Sequence, residues 1–357
     1  MHEVASPILF PPLLLATDGS SSARLAQKWL YLIAQTLPQP EESRSALVMA
    51  LMVQPRRSSR SSQLLRRIRR LPELLPDEPQ DRANPTNSSP EKLFSEASLT
   101  ELLHTDFPTN FPISVEIRRG RPATEILSYA RTIRAGLIAV GSRGTGGVRE
   151  LLLGSVSAVV ARYSSCSVLV ARGVGEAGVE PRLKHVLVVV GTSPATQAAI
   201  ITTQQLVSAG IQQVTLLHVQ PFLNIDYLFG PFVGPTPSWQ LNQSLQKAQR
   251  EQGERILRLA KEALETPGLQ VETLLQTSEP GPLICQVAQQ QGVDLVIFGS
   301  DRKRRSLLPS PPTLRLPKSL ERNQEEPRPI LRNARLGPTA DYTIHHAPCP
   351  VLICRSG

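Results

Sequence analysis

The chain is poor in the residues and segments that mark secreted or membrane-spanning proteins. Its 357 residues contain only four cysteines, which are too few and too irregularly spaced for a disulfide framework in a chain of this length. No apolar run approaches the roughly 20 residues that a membrane-spanning helix requires. The N-terminal residues lack a basic segment, and three prolines interrupt their apolar stretch, so no signal peptide is predicted. We therefore expect reduced thiols and a cytoplasmic protein.

Aromatic residues are also scarce, at 4%, and the excess of positive charge behind the net charge of +9 is confined to two segments. Residues 55–82 contain eight arginines and four acidic residues, and residues 302–335 contain ten basic and three acidic residues. Frequent proline and scattered charge predict solvated, disordered loops there. Contacts of these loops with nucleic acid or an anionic membrane are disfavoured, because no nucleic-acid module or aromatic stacking platform accompanies them.

The sequence contains an internal duplication, in which four blocks recur in the same order. LLLATDGSSSARLAQKWL is repeated as HVLVVVGTSPATQAAI, and ALVMALMVQP as VTLLHVQP. Further on, RGRPATEILSYARTIRAGLIAVGSRG matches QTSEPGPLICQVAQQQGVDLVIFGSDR, and a last block ends in SVLVAR and in PVLICR. The duplication predicts two domains, residues 1–172 and 182–357, with basic insertions at about 54–89 and 300–337.

Short runs of Val, Ile and Leu alternate with longer amphipathic stretches in each half, which is typical of a parallel sheet covered by helices on both faces. Helices are predicted at 22–36, 90–105, 124–134 and 151–163 in the first half. The expected fold class is α/β: two tandem doubly wound five-stranded parallel sheets of order 3-2-1-4-5. A long helix is predicted at 238–266, with an apolar face formed by Leu241, Leu245, Ile256, Leu259 and Ala263.

Two polar features are predicted to meet where this architecture binds ligands. Asp18 follows the first strand, and a glycine-rich loop, GSRGTGGVRELLLGS, follows the fourth, from Gly141 to Ser155. The crevice of a doubly wound sheet lies where the strand order reverses, between strands 1 and 4. Glycines allow backbone N–H groups to approach a phosphate, and a helix beginning near Gly154 would add its dipole. Asp18 suits a ribose hydroxyl or a magnesium ion; alternatively, it caps the helix that begins near Ser20.

ATDGS at 16–20, RGRPATEIL at 119–127 and the spacing of the glycine-rich loop together resemble the universal stress protein family. The resemblance implies a site for ATP or a similar adenine nucleotide, with or without Mg²⁺. It implies that Asp18 contacts the ribose and that the backbone of Val53 receives the adenine. It implies that the phosphates are held by Gly141, Gly144, Gly154, Ser155 and Val156. The candidate nucleotide site also includes Ala16 and Arg143.

The second half departs from this motif at each critical position. Gly191 aligns with Asp18, Arg302 with Gly144, and Pro338, which lacks a backbone donor, with Ser155. We therefore expect this half to bind nucleotide weakly or not at all. The resemblance implies instead that the two halves pair through their final strands as an intramolecular pseudo-dimer. Further homodimerisation and an unidentified protein partner are also expected.

These observations predict a nucleotide-responsive regulator of stress or signalling, and two alternatives stay open. One is a scaffold that works through its basic insertions without nucleotide. The other is a weak ATPase, for which Arg143 is the only nominated cation. No nucleophile elbow, Walker lysine or Ser/His/Asp set supports catalysis, so no catalytic residue is assigned. Zinc at HHAPCPVLIC is disfavoured, because Cys349 and Cys354 flank a strand at an odd separation and would point to opposite faces.

Overall fold

A computed structural model describes residues 9–37, 46–54, 95–143, 153–172, 180–222, 232–233, 236–301 and 336–355. The two basic insertions predicted at about 54–89 and 300–337 lie, apart from their ends, outside these described residues. Within the described ranges, no helix combines the length and apolar character needed to cross a bilayer. All four cysteines lie in these ranges, and each is a free thiol.

Each half of the chain contributes five parallel strands to a sheet. The first half contains β1 (Leu13–Thr17), β2 (Val48–Gln54), β3 (Ile113–Arg119), β4 (Leu137–Gly141) and β5 (Ser167–Ala171). The second half contains β6 (His185–Val189), β7 (Gln213–Gln220), β10 (Gln270–Thr277), β11 (Leu295–Gly299) and β12 (Val351–Cys354), and a separate two-stranded ribbon of β8 (Phe232–Val233) and β9 (Thr236–Pro237). The halves run β3-β2-β1-β4-β5 and β10-β7-β6-β11-β12, which confirms the predicted order and its reversal between the first and fourth strands.

The helices pack on both faces of the sheet, and five of them begin at a serine cap or a proline. They are α1 (Ser21–Ala34), α2 (Glu96–Leu103), α3 (Pro122–Thr132), α4 (Ser155–Tyr163), α5 (Ala195–Leu206), α6 (Ser238–Leu264), α7 (Pro280–Gln290) and α8 (Pro338–His346). Ser20 and Ser95 cap α1 and α2 through their hydroxyls. Proline occupies the first turn of α3, α7 and α8, where its missing N–H costs no helical hydrogen bond.

Some predicted helix ends were wrong by several residues, for reasons found in the caps. The helix predicted from residue 124 starts two residues earlier at Pro122, because Arg121 is still extended and Pro122 is favourable at the first helical position. The helix predicted from 151 starts at Ser155, because Gly154 is extended.

Alternating side chains divide the core into two layers that each run through both halves. Leu13 and Leu15 pack in one cluster with α1, α2, α5 and α6, whereas Leu14 and Ala16 pack in the other with α3, α4, α7 and α8. This is the two-residue side-chain period of a strand that is buried on both faces. Cys354 belongs to the first cluster and Cys349 to the second, so these two thiols lie on opposite sides of the sheet.

The two halves join into one ten-stranded sheet. β5 and β12 are antiparallel, with Val170 opposite Val351 and Val168 opposite Ile353. The sequence predicted two separate five-stranded sheets whose final strands pair, and that pairing makes them continuous. It also removes two apolar edges from solvent, since these strands are buried throughout.

Candidate functional site

The ends of β1, β2 and β4 place the predicted site residues at one edge of the sheet. Ala16 lies opposite Val140, so Asp18, two residues further on, lies level with Ser142. Thr17 lies opposite Met52 in the last pair of β1 and β2. Val53 is therefore one residue beyond that pair, and β2 continues to Gln54. The strand register thus brings Ala16, Asp18 and Val53 together with the start of the glycine-rich loop.

Asp18 is exposed and forms a turn at the end of β1. Its Oδ1 accepts a hydrogen bond from the backbone N–H of Ser20 at 3.0 Å. Ser20 in turn caps α1, because its Oγ accepts from the backbone N–H of Ala23 at 3.2 Å. The alternative that Asp18 itself caps this helix was therefore wrong: the aspartate orders the turn that precedes the cap, and Ser20 does the capping.

Two serines at the start of α1, the cap Ser20 and Ser22, hold the main chain at the start of the glycine-rich loop. The N–H of Arg143 donates to Ser22 Oγ at 3.2 Å, and the hydroxyl of Ser22 makes a short hydrogen bond to the carbonyl oxygen of Arg143. Ser20 Oγ lies 3.5 Å from the same oxygen. The serines were not among the predicted site residues, although the run of serines after Asp18 was the available signal. They join the Asp18 turn to the loop after β4.

Gly141 has a packing role that its proposed phosphate-binding role did not anticipate. A Cβ added there would lie 2.5 Å from the main-chain carbon of Ser22 and 2.7 Å from the nitrogen of Ala23. Gly299, at the end of β11, meets the first residue of α5 in the same way, with 1.8 Å to the carbonyl oxygen of Ala195. Both halves need a glycine at this position so that the helix can approach the strand. The presence of Gly141 therefore does not distinguish a half that binds nucleotide from a half that does not.

The second end of the loop leads into α4. The N–H of Gly154 donates to the carbonyl oxygen of Ser142 at 2.7 Å, so this donor is not available to a ligand. The first helical bond is donated by Ala158 to Gly154, and no side chain caps the helix. The N–H groups of Ser155 and Val156 precede that bond and belong to the unpaired first turn. Gly144 lies outside the described residues.

Two arginines lie at this edge. Arg143 is half-buried, and Arg172 directly follows β5, whose last residue lies opposite Gly141. Burial, followed by the positive charge of Arg143, lowers the pKa of Arg172 from its usual value, although a guanidinium stays protonated at neutral pH. Arg172 was not predicted as a site residue, and its proximity to Arg143 depends on the pairing of β4 with β5.

The equivalent edge of the second half carries different groups. Gly191 takes the place of Asp18, and its N–H donates to Thr196 Oγ1 at 3.0 Å. Asp301, which follows β11 as Arg143 follows β4, accepts a short hydrogen bond from Ser193 Oγ beside the start of α5. A carboxylate therefore replaces the cation of Arg143, which makes this position less favourable to a phosphate. No group of three or more metal-binding side chains occurs among the described residues.

Comparison with known proteins relates both halves to one family. The sequence profile of the universal stress protein family matches residues 10–172 and again 182–355. A universal stress protein of Mycolicibacterium smegmatis is 28% identical over 190 residues, which is 53% of this chain and 58% of that protein. The protein YxiE of Bacillus subtilis is 51% identical over 53 residues, 15% of this chain and 36% of that protein. The chain thus spans between about a third and three fifths of the length of these curated relatives.

The structure resembles a solved relative along nearly its whole length. The crystal structure of a universal stress protein from Archaeoglobus fulgidus superposes with a TM-score of 0.53 at 16% sequence identity, covering 97% of this chain and 98% of that one. At this level of identity the likeness concerns the fold alone.

Proposed function

Because the chain belongs to the universal stress protein family, we propose that its N-terminal half binds ATP or a similar adenine nucleotide and acts as a stress-response or signalling regulator. The observation that carries the proposal is the shared position of Asp18 and the Arg143 main chain at the carboxyl edge of β1 and β4, linked through Ser20 and Ser22. Doubly wound sheets bind their ligands at this reversal of strand order.

Each part of the nucleotide has a proposed contact. The exposed carboxylate of Asp18 accepts from the ribose hydroxyls and is available to Mg²⁺ carried by the phosphates. The main chain at Val53 receives the adenine. The phosphates lie against the loop that contains Gly144 and against the N–H groups of Ser155 and Val156 at the start of α4, where the helix dipole favours negative charge.

The charges at this edge favour the same placement. Arg143 and Arg172 add two positive charges close to the start of the loop, and a trianionic or tetraanionic phosphate chain is attracted to both. In the second half Asp301 takes the place of Arg143, while Arg355, which bonds to the adjacent Ser300, takes the place of Arg172. One of the two cations is thus exchanged for an anion, and Pro338 replaces the donor of Ser155. The proposal therefore assigns nucleotide binding to the first half and assigns to the second half the role of partner in an intramolecular pseudo-dimer.

Titration calorimetry of the full chain with ATP and Mg²⁺ tests the proposal. Asp18→Ala and Gly144→Val should each weaken ATP binding by about tenfold or more, a loss on the order of 1.4 kcal/mol or greater. Gly191→Ala is the matched control, because the nearest atom to an added Cβ, Thr196 Oγ1, is 3.9 Å away. Unchanged affinity in the first two variants would rule out this site, as would an equal loss in the control.

The two alternative functions have distinct outcomes in the same experiments. Phosphate release above the background of the Asp18→Ala variant would add slow hydrolysis to binding. A scaffold that acts through its basic segments would retain partner binding in Asp18→Ala and lose it when residues 302–335 are deleted.

A further inference from the structure

The outer edge of the second half carries a groove unrelated to the nucleotide site. β10 is a terminal strand of the ten-stranded sheet, and its only strand neighbour among the described residues is β7. Helix α6 crosses above these two strands. It packs tightly at Gly253, where an added Cβ would lie 2.6 Å from Gln220 Nε2 and 2.7 Å from Leu275 Cδ1. Gln220 is buried and donates a short hydrogen bond to the carbonyl oxygen of Gln249, which holds α6 in place over the sheet.

The groove runs between α6 and the outer strand as two adjoining cavities. The larger, of about 860 Å³, is lined from α6 by residues including Arg250, Leu257 and Arg258, and from β10 by Thr273, Leu275 and Thr277. The smaller, of about 440 Å³, continues to Leu269 and Val271, and Lys261 lines both. The odd-numbered side chains of β10 therefore face the groove, as the two-residue period requires.

The charge along the groove is mostly positive. Glu254 forms an ion pair with Arg250, Oε1 to Nε, at 2.9 Å. Arg258 and Lys261 are exposed and make no ion pair with any other residue that the structure describes. Glu265 lies one turn beyond Lys261 and lines the smaller cavity but not the larger one. An occupant of the larger cavity therefore meets two uncompensated cations.

The strand beside these cations has few of the features that protect exposed sheet edges. Its eight residues, QVETLLQT, contain no proline and no lysine or arginine, and the register with β7 is regular from end to end. Its single charge, Glu272, lies on the face opposite the groove. Such an edge presents backbone donors and acceptors to an incoming strand.

The spacing of the cations matches an extended chain. Arg258 and Lys261 are three residues apart on α6, a separation of roughly 5–6 Å between their Cβ atoms. Alternate residues of a strand lie about 6.6–6.8 Å apart on one face. Acidic side chains at alternate positions of a peptide paired with β10 would thus reach both cations, while its backbone pairs with the edge.

We propose that an extended acidic peptide segment of a partner protein binds in the groove between α6 and β10, adding a strand to the sheet at β10 and placing its carboxylates against Arg258 and Lys261. Main-chain hydrogen bonds supply the strand pairing, and the two cations select for acidic residues at alternate positions. This surface lies in the half to which no nucleotide binding is assigned, so the proposal does not depend on that of nucleotide binding.

Fluorescence anisotropy with a defined probe tests the binding. The probe is a fluorescein-labelled peptide of eight residues that alternates Glu and Val, and the comparison peptides alternate Lys and Val or contain the same Glu and Val in two blocks. The alternating acidic peptide should bind the full-length chain best, and its affinity should fall as salt is raised. The double variant Arg258→Glu/Lys261→Glu should weaken it by about tenfold or more.

Lys247→Glu is the control on the same helix: it reverses one charge, where the double variant reverses two, and its residue is 80% exposed and does not line the groove. It should leave the affinity within about twofold. Circular dichroism and the melting temperature verify that the variants fold, and titration of ATP should be unaffected by them.

Amide hydrogen exchange tests the strand addition separately. Binding of the alternating peptide should slow exchange in residues 270–277. The proposal is overturned if exchange there is unchanged while the peptide binds, or if Lys247→Glu weakens binding as much as the double variant. It is also overturned if the block peptide or a single-stranded oligonucleotide binds with the same dependence on Arg258 and Lys261, or if a second copy of the chain occupies β10 and excludes the peptide.

Discussion

Arg355 donates from Nη2 to the carbonyl oxygen of Ala161 at 2.9 Å, and so connects the end of β12 to the helix that follows the glycine-rich loop of the other half. Its Nη1 donates to the carbonyl oxygen and to Oγ of Ser300, at 3.0 and 3.1 Å. Arg172 makes the reciprocal contact from the first half, with Nη1 donating to the carbonyl oxygen of Ala347 at 3.0 Å. The two halves are thus joined by arginines at equivalent positions of their final strands as well as by β5 and β12.

Replacement of Arg355 by alanine should destabilise the joined sheet. Arg355 is 3% exposed, and its loss leaves the buried oxygens of Ser300 and Ala161 without their charged donor. Hydrogen bonds to charged groups contribute roughly 1.5–3 kcal/mol each, so the free energy of unfolding should fall by about 2 kcal/mol or more in urea titrations. Arg162→Ala, which removes the more exposed ion pair with Asp341, should cost only about 0.5 kcal/mol. Equal losses for the two variants would contradict the buried role of Arg355.

The glycines at the ends of β4 and β11 should be equally intolerant of a side chain. In Gly141→Ala and Gly299→Ala, the new methyl group overlaps the first turn of α1 or α5, and such overpacking costs about 1–3 kcal/mol. Thermal unfolding should show a lower melting temperature for both variants, whereas Gly191→Ala should remain within about 0.5 kcal/mol of the parent. A destabilised Gly141→Ala beside an unaffected Gly299→Ala would show that the packing argument fails.

Ser22→Ala should weaken ATP binding through the position of the loop. The substitution removes a partner from both the N–H and the carbonyl of Arg143, at a cost of about 1 kcal/mol. An equal loss of binding free energy corresponds to an approximately fivefold lower affinity. Calorimetry measures the affinity for ATP, and the melting temperature shows whether a weaker affinity arises from unfolding of the variant. Ser208→Ala is the control, because that exposed hydroxyl bonds only to the carbonyl of Gln205 in the second half. An affinity equal to that of the control would exclude a positioning role for Ser22.

His185 should make stability depend on pH below neutrality. Burial, opposed by the charges of Asp294 and Glu272, lowers its pKa from the usual 6.5, and its Nε2 lies 2.9 Å from Thr215 Oγ1. The folded state binds a proton at His185 less readily than the unfolded state does. The contribution of neutral His185 to the free energy of unfolding is therefore fully present above pH 6.5 and is lost as the pH falls below that value.

Urea titrations of the parent and of His185→Gln at pH 7.5 and 5.5 measure this effect. The parent should lose more stability than the variant on acidification. A variant that loses as much as the parent would show that His185 does not titrate in this window.

The predicted apolar face of the long helix α6 was wrong in part. Its predicted apolar face included Leu259, which is 55% exposed, while the buried positions are Gly253, Leu257, Ala260 and Leu264. Periodicity alone did not select the buried stripe, because Ile256, Leu257 and Leu259 offer competing apolar faces around the helix. The close approach at Gly253 to Gln220 and Leu275 decides which stripe meets the sheet.

The sequence by itself determined the repeated α/β unit, the strand order of each half and the placement of Asp18 and the glycine-rich loop at one edge. The repeated unit follows from periodicity and from glycine and proline positions, and the strand order follows from the doubly wound architecture that this pattern indicates. Only the tertiary structure decided that the paired final strands are antiparallel with Val170 opposite Val351, that Ser22 holds Arg143, that Gly141 serves packing, and that a groove with cations lies beside β10. Each of these depends on atoms far apart in the chain, whose distances no local pattern encodes.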